Sequence, residues 1–347
     1  MRIYNTFKGD KVMKAAVFYG KNDLKVEDIP KPRAKKGEVL VKVHACGICG
    51  TDAHIFCGDE GAAKTPAGTV LGHEFAGEIV EIGDGVSGFS IGEKVSVDPN
   101  KLCGGCEYCK RGIGHFCTDI TGIGTTVNGG FAEYCAVPAT QAQKVMPSVS
   151  FEQAAMSEPV SCCLHGIELC NIKCGDTAAV IGCGMIGLIM VQLLKLSGAA
   201  KIIAIEPIEQ KRKQALSLGA DIALAPDEVE KALKSISQID CVIECAGRTD
   251  TIEQAIRIAG KNSVVMMFGL TAPQAEIKVK PFEIFKKEIT LRSSFINPYT
   301  FPAAVKLIES GKLDVSSIVY EKAPLEELPK ILADSRRRSL GKYIITF

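Results

Sequence analysis

The chain has 347 residues, 46% of them apolar and 23% charged, with a formal net charge of +1. Two domains are expected at this length, and the near-neutral charge leaves no electrostatic footprint for nucleic acid or an anionic membrane surface. No apolar run approaches the ~20 residues that span a bilayer, and the opening MRIYNTFKGDKVMKAAVFYG has no signal-peptide core, so a cytoplasmic protein is expected.

Residues 1–12 carry little apolar content and are expected to be peripheral, with MKAAVFYG from Met13 as the first strand start. From there to about residue 160, short runs rich in glycine and β-branched residues (EVLVKVHA, EFAGEIVEIG, EKVSVD, FAEYCAV) alternate with turn residues such as GDGVSG and VNGG. That texture predicts a short-stranded β domain. Within it, CGICGTDAH (46–54) brings together Cys46, Cys49, Thr51, Asp52 and His54, and LGHEFAG adds His73 and Glu74. A thiolate, an imidazole and a carboxylate make an open catalytic zinc site; the rival reading of Cys46 and Cys49 as a redox pair has no adjoining βαβ pattern. Thr51 and His54 offer a hydroxyl and an imidazole suited to a proton relay.

CGGCEYCKRGIGHFC follows, with Cys103, Cys106, Cys109 and Cys117 at C-x2-C-x2-C-x7-C. The chain holds 15 cysteines, an odd number, scattered through apolar segments such as SCCLHGIELC and DCVIECAG. In a reducing compartment such thiols stay reduced, and four clustered ones read as a metal site.

PSVSFEQAAMSEPVSCCLHGIELC then turns helical in period, with Ser150 as the N-cap and Glu152 and Gln153 in the first turn. From about residue 177 strands and helices alternate: TAAVIG, GMIGLIMVQLLKLSG, KIIAIE, QKRKQALSLGA, DCVIECAG, TIEQAIRIAG and NSVVMMFGL. That alternation predicts a doubly wound parallel sheet. Gly182, Gly184 and Gly187, with Ile186 between them, form GxGxxG across a strand end and a helix start, and Glu206 closes the next strand. This is the dinucleotide fingerprint, and the carboxylate favours NAD over NADP; Lys211 and Arg212 close behind would soften that preference. FPAAVKLIESG and LEELPKILAD close as helices and KYIITF as a strand, with Arg336, Arg337 and Arg338 as a solvated helix end.

A metal ion beside a nicotinamide suits alcohol oxidation, one easing proton loss and the other accepting hydride. From about Met13 to the C-terminus the sequence resembles the zinc-dependent medium-chain dehydrogenases, most nearly their sorbitol (polyol) and threonine dehydrogenase branch. The resemblance implies an α/β protein: a GroES-like β-rich catalytic domain over residues 1–160, a Rossmann domain over 161–292 and a return segment over 293–347. It implies that Cys49, the second cysteine of its motif, ligates catalytic zinc with His73 and Glu74, the latter in some states only. Glu158 of SEPVSC matches the glutamate ligand of polyol-type members, with Cys162 as the alternative. The four-cysteine loop becomes a closed structural zinc site, Asp52 orients His73, and two zinc ions per chain are expected. Phe268, Gly269, Leu270, Ser294, Phe295 and Ile296 fall where backbone groups hold the nicotinamide, and Lys342 at a position that meets the pyrophosphate.

Sorbitol dehydrogenases carry a tyrosine and an Arg-Tyr pair where this chain has Ile55 and Ile296-Asn297. The implied substrate is therefore a secondary alcohol, a polyol or polyol phosphate, with L-threonine or 2,3-butanediol as alternatives. A non-catalytic zinc- and dinucleotide-binding relative is the rival of another class, and the intact Cys49, Thr51, His54 and His73 set argues against it. A homo-oligomer, tetramer or dimer, is expected, with neither nucleic acid nor membrane as partner.

Overall fold

The structure, a computed structural model, describes residues 11–58 and 64–347. Residues 1–10 of the expected peripheral stretch lie outside the described residues. The chain forms two compact units, Met1–Glu158 with Val319–Phe347, and Pro159–Ile318.

The first unit is built from short strands. β1 (Val12–Gly20) and β2 (Asp23–Pro30) form an antiparallel pair that opens one residue before Met13, with Val12 opposite Pro30. Then come β3 (Glu38–Gly47), α1 (Gly50–Cys57), β4 (Thr69–Val70), β5 (Glu74–Ile82), β6 (Lys94–Val97), β7 (Asn100–Lys101), α2 (Glu107–Lys110), β8 (Thr121–Gly122), β9 (Tyr134–Pro138) and β10 (Ala142–Lys144). β3 is central to its sheet, and its Val39, Val41 and Val43 enter a core with Leu71, Phe75, Ile79 and Phe131. Two strands pair with it from this part of the chain, β5 and β9.

The helical stretch after it is two helices rather than one, α3 (Phe151–Ala155) and α4 (Ser157–Cys170). Ser150 and Gln153 form a reciprocal capping box at the first. Pro159, with no N–H to donate, falls in the first turn of α4, the one place where a helix tolerates it, so the helix restarts there.

The second unit alternates as the sequence predicts: β11 (Thr177–Ile181), α5 (Met185–Leu196), β12 (Lys201–Ile205), α6 (Glu209–Ser217), β13 (Ile222–Leu224), α7 (Val229–Ala232), β14 (Cys241–Glu244), α8 (Thr249–Ile258), β15 (Val264–Met267), α9 (Pro281–Lys287), β16 (Thr290–Ser293) and α10 (Phe301–Glu309). The six strands are all parallel in the order β13-β12-β11-β14-β15-β16. This is the doubly wound dinucleotide-binding order, whose switch point lies between β11 and β14. β16 and α10 belong here, since β16 extends the sheet beside β15 and Thr300 Oγ1 donates to Ser161 O at 2.8 Å. The return segment therefore starts at Val319 rather than at residue 293.

That return consists of β17 (Val319–Ala323), α11 (Leu328–Ala333), α12 (Ser335–Leu340) and β18 (Lys342–Thr346). β18 pairs antiparallel with β3, which puts the final strand beside Cys46 and Gly47 and completes the sheet β10-β6-β5-β3-β18-β17. Among the described residues no helix is long and apolar enough to cross a membrane.

Candidate active site and zinc centres

β3 and α1 separate the two cysteines of CGIC. Cys46 ends a buried strand inside the apolar core, and burial pushes its thiol well above the ordinary range. Cys49 stands at the start of α1, partly exposed, where its N–H donates to Asp52 Oδ2 at 2.8 Å. Its sulfur meets a nitrogen of His73 and an oxygen of Glu74, all within 4.8 Å of one another. Asp52, fully buried, places Oδ1 3.3 Å from His73 Nδ1. Burial alone would depress His73, yet the charges of Asp52 and Cys49 outweigh it and hold the imidazole well above its usual value. Two anionic groups on one histidine, with Glu74 Oε1 buried and lacking a protein partner, call for a cation. The residues fit zinc.

Glu74 has a second neighbour. Lys342, 2% exposed at the start of β18, pairs with Glu74 Oε2 and donates to Ile48 O at 2.9 Å. Gly47 makes room for this pair, since a Cβ there would stand 2.2 Å from Glu74 Oε2 and 2.8 Å from Lys342 Cε. The family resemblance implies Lys342 at the cofactor pyrophosphate; the fold gives its ammonium two protein acceptors, one of them Glu74 of the candidate zinc set. Glu158 is buried in the first turn of α4 and does not join the three-residue set. Thr51 and His54 are half-buried and three apart on α1, hence on one helix face. Ile55 packs in the core, and Asn297 Nδ2 donates to Ser161 Oγ at 2.8 Å.

Cys103, Cys106, Cys109 and Cys117 bring their four sulfurs within 4.8 Å of one another. α2 between them buries no residue, so apolar packing does not hold this loop. Backbone N–H groups from Cys109 and Thr118 pull the Cys106 thiol down to about 6, toward the thiolate that a metal requires. Four clustered sulfurs fit a closed tetrahedral zinc site.

In the second unit Gly184 is the N-cap of α5, and Gly187 packs so tightly that a Cβ would stand 1.9 Å from Gly182 O. Ile186 is half-buried in the first turn. Glu206, at the end of β12, accepts N–H groups from Cys183 at 2.8 Å and Ile208 at 3.0 Å, which ties it to the glycine loop. Arg212 donates to the carbonyls of Glu206 and Pro207, while Lys211 is partly buried one residue before it. Phe268 packs against Gly166 of α4; Gly269 and Leu270 follow it in the turn after β15, and Ser294 and Phe295 follow β16. The sequence reading passed over Glu244, a carboxylate inside the apolar run DCVIECAG; that contrast was its signal.

A zinc-ligand set on a GroES-like unit and a glycine loop on a Rossmann unit define a zinc-dependent oxidoreductase of nucleotide cofactors. Residues 35–147 match the alcohol dehydrogenase GroES-like domain and residues 186–310 the zinc-binding dehydrogenase domain. The chain is 33% identical over 338 residues to erythritol/L-threitol dehydrogenase of Mycolicibacterium smegmatis, covering 92% of each. It is also 33% identical over 330 residues to L-threonine 3-dehydrogenase of Bacillus licheniformis, covering 92% of this chain and 94% of that one. An alcohol dehydrogenase of Escherichia coli CFT073 complexed with NADH superposes with a TM-score of 0.88 at 28% identity, over 98% of this chain and 100% of that one. The chain belongs to the zinc-dependent medium-chain dehydrogenase family. By these two domains it is an alcohol dehydrogenase of the zinc-binding type.

Proposed function

We propose that this enzyme oxidises a secondary hydroxyl of a sugar alcohol, free or phosphorylated, to the ketone. In this reading Cys49, His73 and Glu158 hold catalytic zinc and Glu74 joins in some states. The oxidation would release the carbinol hydrogen as hydride and the hydroxyl proton to the protein, with ketone, NADH and one proton as its overall yield. Zinc, when bound, supplies a Lewis acid and NAD the hydride acceptor. The chain's own residues do the rest. Asp52 fixes the His73 ring, Lys342 offsets the Glu74 charge, and the Thr51 hydroxyl and His54 imidazole carry the proton outward along one face of α1. Glu206 would hold the adenosine ribose hydroxyls and disfavour a 2′-phosphate. Phe268, Gly269, Leu270, Ser294 and Phe295 would line the nicotinamide.

One observation carries the reading of a metal-assisted alcohol oxidation: the cluster of Cys49 and His73 with the carboxylate of Glu74, whose Oε1 has no protein partner. The polyol assignment takes Glu158 over Cys162 as the further ligand, because a carboxylate is harder than a thiolate and suits a substrate whose second hydroxyl also coordinates. Similarity to a tetritol dehydrogenase supports the reading. Equal identity to a threonine dehydrogenase supports a second one, oxidation of L-threonine at its secondary hydroxyl. An NAD-reduction screen over tetritols, pentitols, hexitols, their phosphates, butanediol and threonine decides. Polyol turnover well above the rest is expected; turnover of threonine or butanediol alone overturns it.

We further propose a homo-oligomer, dimer or tetramer, in the cytoplasm. Strand β16 is a sheet edge, and Phe282 and Phe285 on the adjoining α9 are 67% and 77% exposed, an apolar surface that a second copy would cover. Among the described residues no disulfide forms, in keeping with a reducing compartment.

A further inference from the structure

Strand β14 ends on a buried carboxyl that the reaction does not use. Glu244 is 0% exposed and lies in register between Ile181 of β11 and Met267 of β15, at the carboxyl ends of the central strands. Its Oε1 accepts the N–H of Ala246 at 2.7 Å, the N–H of Gly247 at 2.9 Å and the hydroxyl of Thr251 at 2.8 Å. Its main-chain carbonyl accepts the N–H groups of Phe268 and Gly269, each at 2.9 Å. Oε2 has no protein partner and looks toward Gly269, where a Cβ would stand 2.9 Å from it.

One residue thus ties two turns together, the 246–251 turn after β14 and the 268–269 turn after β15. The first glycine of the phosphate loop joins them, because a Cβ on Gly182 would already stand 3.1 Å from Ala246. All three segments rim the switch point where a doubly wound sheet takes its ligand. An apolar residue of like shape would leave the N–H groups of Ala246 and Gly247 and the Thr251 hydroxyl without this acceptor, so the carboxyl fixes the geometry of the turn even though its second oxygen stays bare. Burial pushes the Glu244 pKa up, against the hydrogen bonds from Thr251, Ala246 and Gly247. The group keeps a proton more readily than a surface glutamate, which eases the bare oxygen.

We infer that Glu244 is a cofactor-positioning residue, setting the spacing of the three turns that receive the dinucleotide. The inference rests on the dinucleotide reading of this unit. Its test is NADH binding by fluorescence titration of the full-length zinc-loaded enzyme, with zinc content and circular dichroism recorded beside it. Glu244→Gln keeps the accepting oxygen and should hold the Kd within ~3-fold of wild type, whereas Glu244→Ala should raise it at least ~10-fold. The KM for NAD should rise in parallel, with kcat at saturating NAD within ~3-fold. Should Glu244→Ala not fold, Thr251→Val removes one of the three donors and should raise the Kd by about 3-fold. Wild-type NADH affinity in Glu244→Ala, or in Thr251→Val where the former does not fold, overturns the inference. So does a Gln variant as damaged as the Ala one. A wild-type enzyme that binds no NADH sinks the dinucleotide reading itself, a result separate from any difference among variants.

Discussion

Lys342 and Glu74 form an ion pair with each side chain 1% exposed. Removing one partner of such a pair leaves a buried charge uncompensated, which costs about 3–5 kcal/mol. Lys342→Met should lose stability on that scale, and the double variant Lys342→Met with Glu74→Gln should recover much of it, as read by denaturant unfolding. A single variant with the wild-type midpoint would show that the two charges do not depend on each other. The fourth zinc ligand is also decided residue by residue. If Glu158 supports the metal, Glu158→Ala should lower catalytic zinc and cut turnover by ~10- to 100-fold, with Cys162→Ala nearly silent. An inactive Cys162→Ala beside a tolerant Glu158→Ala would move the enzyme to the simple-alcohol branch.

At the scale of elements, the two candidate zinc centres differ in what surrounds them. The four-cysteine loop has no apolar anchor in α2, so a metal held there would supply folding energy. The Cys49, His73 and Glu74 set instead sits on β5 and the start of α1, both packed against a large core. Cys103→Ser should therefore lower the melting temperature and loosen the loop, while Cys49→Ser should abolish turnover with the fold kept. Metal analysis should find about two zinc ions per chain in the wild type and about one in each variant. One ion in the wild type refutes the two-centre reading.

Over the whole molecule, the first unit is built from two stretches of chain, with the whole sequence of the second unit between them. β18 lies against β3, 294 residues separating Lys342 from the Ile48 carbonyl it meets. The second unit ends its sheet on β16, whose open edge and exposed phenylalanines give the oligomer proposal its measurable consequence. Phe285→Asp places a charge on the apolar surface that a second copy would bury. Light scattering should then report a smaller particle than the wild type, with zinc content unchanged. A wild-type protein already monomeric at micromolar concentration counts against the oligomer.

What was legible in the sequence was whatever neighbouring residues decide among themselves. The four thiols of Cys103–Cys117 lie within one short loop, and Gly182, Gly184 and Gly187 within one strand-to-helix turn, so spacing alone brought each group together. Ser150 and Gln153 announced their capping box for the same reason. The sequence also showed the alternation of strand and helix, though β13 and β16, short and partly exposed, lack the period that would reveal them. Whether Cys46 or Cys49 reaches the metal depends on which way β3 turns its side chains against Leu71 and Phe75, a matter of packing. The partnership of Lys342 with Glu74 spans 268 residues, and the carboxyl of Glu244 joins turns that follow two different strands. Local propensity has no reach over such distances. Only closing the sheets buries these charges together, and burial is what makes each of them need its partner.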